Sequence, residues 1–137
     1  MLKNLGVTTI VDLRGDSPET TRKERDAATA LGLRFVSIPV GGFATPTDSQ
    51  MAEFFSVLRE SPAPIVFVHC EYGRDRTGTF VAAYRMAFQN WTTDEAMTEM
   101  MTFGFHRTWH PAMEHYVQGF RTRLQNTAEL RGAAAAR

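Results

Sequence analysis

In the run His69-Cys70-Glu71-Tyr72-Gly73-Arg74-Asp75-Arg76-Thr77-Gly78 a thiol stands ahead of a guanidinium, with a glycine between them and Thr-Gly behind. A phosphate dianion needs many donors converging from one side. A tight loop leading into a helix supplies them as backbone N–H groups, together with the positive end of the helix dipole. The amides of Glu71, Tyr72, Gly73, Arg74, Asp75 and Arg76 are the candidates for that cradle. Arg76 adds a planar fork matched to two phosphate oxygens, which a lysine does not reproduce. Gly73 permits a φ that the turn demands, and Gly78 lets the first helical turn approach closely. The same field acts on Cys70. Such settings lower a cysteine pKa to roughly 3.5 to 7.5, so Cys70 is expected to be largely ionised near neutral pH and able to attack phosphorus. A lone cysteine ending a buried strand is otherwise an inert small hydrophobe, and a Cys–Arg pair alone is a weak signal. His69, Gly73, Thr77 and Gly78 around the pair make the pattern specific, provided that a strand precedes it and a helix follows.

Both flanks meet that condition. Ile65-Val66-Phe67-Val68 is apolar and β-branched, bracketed by Pro62 and Pro64, and reads as a buried strand ending at His69. Thr79 to Phe88 is apolar around nearly its whole circumference, the pattern of a helix buried inside a domain. Upstream, Met1 to Leu5 reads as the end of a helix stopped by Gly6, an opening that leaves room for lost upstream residues. Val7 to Leu13 forms a first strand, and residues 15–18 a turn. A charged helix over Glu19 to Leu31 stops at Gly32. Leu33 to Ile38 is a second strand, and Pro39 to Pro46 a loop leaving its C-terminal end. Thr47 followed by Gln50 has the form of a capping box, with Met51, Phe54, Phe55 and Leu58 at helical spacing behind it. Thr92 to Glu95 caps a further short helix ending near Gly104, whose Met97, Met100 and Met101 are expected in the core. Pro111 opens a last helix with the stripe Met113, Tyr116, Val117, Phe120 and Leu124. Residues 126–137 read as a flexible, frayed tail.

The order β-α-β-α-β-α-α-α implies an α/β fold: one domain over residues 1–125, with a mainly parallel central sheet flanked by helices on both faces. Ligands in such sheets sit beyond the carboxyl ends of the strands. The loop after His69, the loop after Ile38 and the Arg14-Gly15-Asp16 turn all meet there. Fifteen basic and fifteen acidic residues cancel, so no global field favours nucleic acid or an anionic membrane, and any anion preference is local. Cys70 is the single cysteine, which excludes a disulfide framework within the chain and fits a reducing compartment. No apolar run is long enough to span a bilayer and no signal-peptide pattern is present, so a cytoplasmic location is expected.

His-Cys-x-x-Gly-x-x-Arg-Thr-Gly, present as His69 to Gly78, resembles the signature of the cysteine-dependent protein tyrosine phosphatase superfamily. The compact size and the Val11-Asp12-Leu13-Arg14 strand are most similar to its small, atypical dual-specificity branch. The resemblance implies a phosphatase domain that works in two steps without metal or cofactor. Cys70 would form a phosphocysteine while Arg76 and the amides of residues 71–76 hold the equatorial oxygens. Thr77 would donate to the Cys70 sulfur, and His69 would order the loop and keep the thiol pKa low. The general acid has two candidates. Asp48 is the only carboxylate in the loop from Pro39 to Asp48, but the first position of a capped helix favours an acid anyway. Asp75 lies beside Arg76, as in the Gly-Lys-Asp-Arg-Thr version of the motif, and is slightly favoured over Asp48, its alternative being a salt-bridge or loop-ordering role.

Asp12 and Arg14 are expected to anchor the first strand and pair at the active edge. His106, Arg107, Trp109 and His110 form a polar-aromatic turn read as a packed corner, and without a matching carboxylate cluster they make no metal site. The expected substrate is a phosphorylated protein or small phosphomonoester, with phosphotyrosine or an aryl phosphate first. Inositol phosphates and phosphoinositides come second because Glu71 disfavours a polyanion while Arg74 attracts one. A catalytically inactive phosphate-binding module is a third reading. An arsenate reductase would need further cysteines, and a rhodanese-like sulfurtransferase does not fit the Arg-Thr-Gly ending.

Overall fold

Strands β1 (Thr9–Arg14), β2 (Arg34–Val40) and β3 (Val66–His69) lie in the order β2-β1-β3, both pairings parallel. This is a computed structural model, and it describes residues 2–15, 17–71 and 74–135. The central strand is buried along almost its whole length because it is covered on both faces. Its side chains alternate. Val11 and Leu13 enter the main core, whereas Ile10 joins Ala28 and Leu33 in a smaller cluster under α1 (Pro18–Ala30). The expected α/β architecture with a parallel sheet and helices on both faces is the one observed.

The main core is built by α2 (Asp48–Leu58), α3 (Asp75–Phe88), α4 (Thr93–Thr102), α5 (Pro111–Gln118), α6 (Phe120–Asn126) and α7 (Ala128–Ala135). Phe54 meets Phe80 edge-on at 5.2 Å and Phe55 meets Phe120 at 6.2 Å. These perpendicular contacts between aromatic rings pin α2 to α3 and α6. Both capping boxes form: Thr47 Oγ1 accepts from the Gln50 amide at 3.0 Å, and Thr92 Oγ1 from the Glu95 amide at 3.1 Å. Among the described residues, no helix is long and apolar enough to cross a membrane.

Several expectations need correction. β2 runs on through Pro39 to Val40, because it is an edge strand where a missing N–H is tolerated. The pairing register shifts between Asp12 and Arg14 at that same end. The buried helix starts at Asp75 rather than Thr79, so the end of the anion loop is already its first turn. Met100 is buried and Met97 half-buried, but Met101 faces out, on the far side of α4. The last helix is divided at Gly119, although Met113, Tyr116, Val117 and Phe120 keep their buried stripe. Residues 128–135 form a helix instead of a frayed tail. α7 packs against α2 and buries Leu130 completely.

Candidate active site

β3 delivers His69 and Cys70 to the carboxyl edge of the sheet, and α3 carries Asp75, Arg76, Thr77 and Gly78 on its first turn. Helices α1, α2 and α4 each start with a Ser or Thr side-chain cap, whereas no described side chain caps α3. Helix N-terminal amides without a side-chain cap can serve another acceptor. Thr77 Oγ1 donates to Cys70 Sγ at 3.0 Å, a bond that favours thiolate over thiol. Cys70 itself is 7% exposed. Arg76 is buried, and its Nη1 donates to the Val40 carbonyl at 2.9 Å, tying the loop to the end of β2. Glu71 and Arg74 are exposed on either side of Tyr72 and Gly73, which lie outside the described residues, as does Asp16. Among the described residues, a Cβ placed on Gly78 would meet only the Met100 side chain, at 3.8 Å. That is ordinary contact, so close helix approach is not what demands this glycine.

Asp75 turns its carboxylate toward the corner before α5. Oδ1 accepts from the His106 amide at 2.9 Å, while Oδ2 lies 3.2 Å from both His106 Nδ1 and His110 Nε2. Arg74 Nη1 approaches the other nitrogen of His106 at 3.4 Å. Gly104, at φ +92°, lets the chain pass Arg74, whose Cδ would stand 3.4 Å from a Cβ there. His110 is buried under the exposed ring of Phe43, stacked at 5.0 Å. The expected packed corner is thus packed at His110 only. Trp109 is 70% exposed, and Arg107 pairs with Glu114 at the surface. Asp48 is held instead by Arg123 of α6, at 2.9 Å.

Behind the nucleophile, on the α1 face of the sheet, a guanidinium, two carboxylates and an imidazole interlock. The Arg14 guanidinium donates twice to the wholly buried Asp12 carboxylate, at 2.9 and 3.2 Å, and once to Glu24 at 2.6 Å. Glu24 Oε2 in turn lies 2.7 Å from His69 Nε2. Burial pushes the Asp12 carboxyl up, but the hydrogen bonds and charge of Arg14 outweigh it and hold Asp12 below the usual carboxylate range. Asp12, Glu24 and His69 bring ligand atoms within 4.8 Å of one another. Arg14 already bridges both carboxylates, so these donors are engaged in ion pairs and do not make a cation cage.

Glu24 and the Val40 carbonyl are the functional groups that sequence reasoning missed. Glu24 stands four residues before Ala28, which is buried against the sheet, so helical periodicity already puts both on the inner face of α1.

A family model described as DSP-PTPase phosphatase fused to NAD+ Kinase matches residues 1–117. The dual specificity protein phosphatase TpbA of Pseudomonas aeruginosa is 35% identical over 109 residues, covering 77% of this chain and 45% of that protein. Mouse phosphatidylglycerophosphatase and protein-tyrosine phosphatase 1 is 28% identical over 100 residues, covering 73% and 52% respectively. The chain spans about half the length of these curated relatives. Among solved structures, a Cys-to-Ser form of P. aeruginosa TpbA in complex with pTyr superposes with a TM-score of 0.69 at 27% identity, over 92% of this chain and 78% of the other.

Proposed function

The chain belongs to the DSP-PTPase phosphatases, within the small dual-specificity branch of the cysteine-dependent protein tyrosine phosphatase superfamily, and on that premise we propose that it hydrolyses phosphomonoesters through a phosphocysteine at Cys70. The observation that carries this reading is the Thr77 hydroxyl donating to the Cys70 sulfur beside a buried Arg76 at the start of α3. In the first step Sγ attacks phosphorus and the P–O ester bond breaks, the leaving oxygen taking a proton from an acid. In the second, water attacks phosphorus, the S–P bond breaks and the thiolate departs, while the proton lost by water returns to the carboxylate. The amides of residues 71–76 and the Arg76 fork hold the equatorial oxygens throughout.

Phosphotyrosine and other aryl phosphates are the first substrate class. Phe43 presents an exposed ring on His110, within one residue of the Asp75 carboxylate, where it can flank an aromatic leaving group. The complex of the TpbA variant with pTyr supports the same class. A second reading, inositol phosphates or phosphoinositides, is favoured by the exposed guanidinium of Arg74 on the loop, which lies beside His106 of the corner before α5 and suits a further phosphate. Comparing kcat/KM on a phosphotyrosine peptide, inositol phosphates and phosphoinositide vesicles tests the order. A preference of at least about tenfold for the peptide, some 1.4 kcal/mol of transition-state binding, is expected. The reverse preference transfers the function to the second reading. Failure to turn over any of them, para-nitrophenyl phosphate included, leaves only a phosphate-binding module.

Asp75 is the proposed general acid. It sits on the loop itself, and both imidazoles at its Oδ2 can exchange a proton with it. Asp48, paired with Arg123, is the weaker candidate. Asp75→Asn should slow an alkyl phosphate by about 10²–10⁴ and para-nitrophenyl phosphate far less, since nitrophenolate leaves without a proton. It should also remove the basic limb of the pH–rate profile. Equal losses on both substrates refute the assignment, and the same selective loss in Asp48→Asn moves the role there.

A further inference from the structure

We propose that Glu24 is a positioning residue that keeps His69 doubly protonated behind the nucleophile, a role that rests on the thiolate chemistry proposed above. Both ring nitrogens of His69 face oxygens that act only as acceptors. Nε2 lies 2.7 Å from Glu24 Oε2 and 3.9 Å from Asp12 Oδ1, and Nδ1 lies 3.4 Å from the Cys70 carbonyl. A neutral imidazole carries one N–H and satisfies one of those sides, whereas an imidazolium satisfies both. Charge balance points the same way. The groups facing His69 are Asp12 and Arg14 from β1, Glu24 from α1 and Cys70 at the end of its own strand. Two carboxylates and one guanidinium leave a net negative charge beside a sulfur that must itself become an anion. A protonated His69 cancels it. The Phe67 ring stacks on the imidazole at 5.4 Å, offering a π face, which also favours a cation.

Glu24 is the member of this network that bonds both Arg14 and His69, and it comes from a helix rather than from the strands. Losing its charge, and with it the His69 proton, leaves the net charge of the network unchanged but removes the cation bonded to the Cys70 carbonyl, so the thiolate should cost more while the loop stays intact. Because Cys70 is the sole cysteine, its ionisation can be followed by the rate of iodoacetamide alkylation against pH, independently of turnover. In Glu24→Gln the alkylation midpoint should move up by about one pH unit, a roughly tenfold loss of thiolate below the midpoint, with the alkaline plateau unchanged. The acid limb of kcat/KM should move with it. His69→Gln should give a similar shift, and adding Glu24→Gln to it should give no further upward one, since it then removes only a carboxylate. An unmoved midpoint in Glu24→Gln, with or without a lower Tm, overturns the proposal. So does a shift that persists undiminished in the His69→Gln background, which would mean that Glu24 does not act through His69. Failure of the parent reading shows differently, as retained turnover in a Cys70→Ser variant.

Discussion

Cys70→Ser should abolish turnover of para-nitrophenyl phosphate, a loss on the order of 10⁴–10⁶ in kcat as for other removed nucleophiles, while inorganic phosphate still binds. The substitution keeps the volume at the end of β3 and leaves the Arg76 guanidinium and the uncapped first turn of α3 in place. What goes is the thiolate. A serine hydroxyl at this position stays protonated near neutral pH, and no described imidazole is placed as its base. His69 Nδ1 is directed at the Cys70 carbonyl and its Nε2 at Glu24. The donation from Thr77 that favours an anionic sulfur would reach only a neutral oxygen. Turnover by the variant above about 1% of the parent rate, beyond the residual that binding and oxyanion contacts supply, would rule out the covalent route. Rapid acid quench during turnover of the unaltered enzyme should, in turn, trap phosphate on Cys70 and on no other residue.

The parts of this site that follow from local rules were legible in the sequence. The apolar runs of β3 and of the body of α3 announce both elements, although β3, expected to be buried, is an edge strand left partly exposed at Phe67; Thr47 with Gln50 and Thr92 with Glu95 announce their helix starts by side chains that cap them. The start of α3 escaped the same logic for a physical reason. Residues 75–78 read as the end of the anion loop and are at once the first turn of the helix, so a boundary drawn after the motif, at Thr79, falls one turn too late. Contacts between distant segments left no local trace. Glu24 meets His69 and Asp75 meets His106 only because the sheet and the corner before α5 bring them together. α7 is the extreme case. Its single buried leucine, Leu130, sets no periodic pattern in an alanine-rich stretch, and its helix is stabilised by docking on α2 rather than by its own sequence.

The second large effect is expected at Arg76. Arg76→Lys should lower kcat/KM on para-nitrophenyl phosphate by about 10²–10³, the scale for losing an aligned donor to a developing oxyanion. A lysine keeps the positive charge, so charge alone cannot rescue the variant. The guanidinium is planar and offers five N–H donors. Nη1 is already directed to the Val40 carbonyl, which fixes the plane of the fork that, in the proposed mechanism, meets the phosphate oxygens. An ammonium has no planar fork, so it cannot hold the Val40 carbonyl and two phosphate oxygens in one plane as a guanidinium can. The loss should therefore fall mainly on kcat, since the contacts strengthen as charge spreads over the equatorial oxygens in the transition state. A stability effect should accompany it: leaving the Val40 carbonyl without its donor costs about 1–3 kcal/mol, read as a lower Tm. Arg76→Ala separates the two. It removes both functions, so its Tm should fall at least as far, and its kcat/KM further, with no recovery at temperatures well below unfolding. Arg76→Lys retaining full kcat/KM with a reduced Tm would make Arg76 a strut between α3 and β2 rather than the clamp on the transferred phosphoryl group.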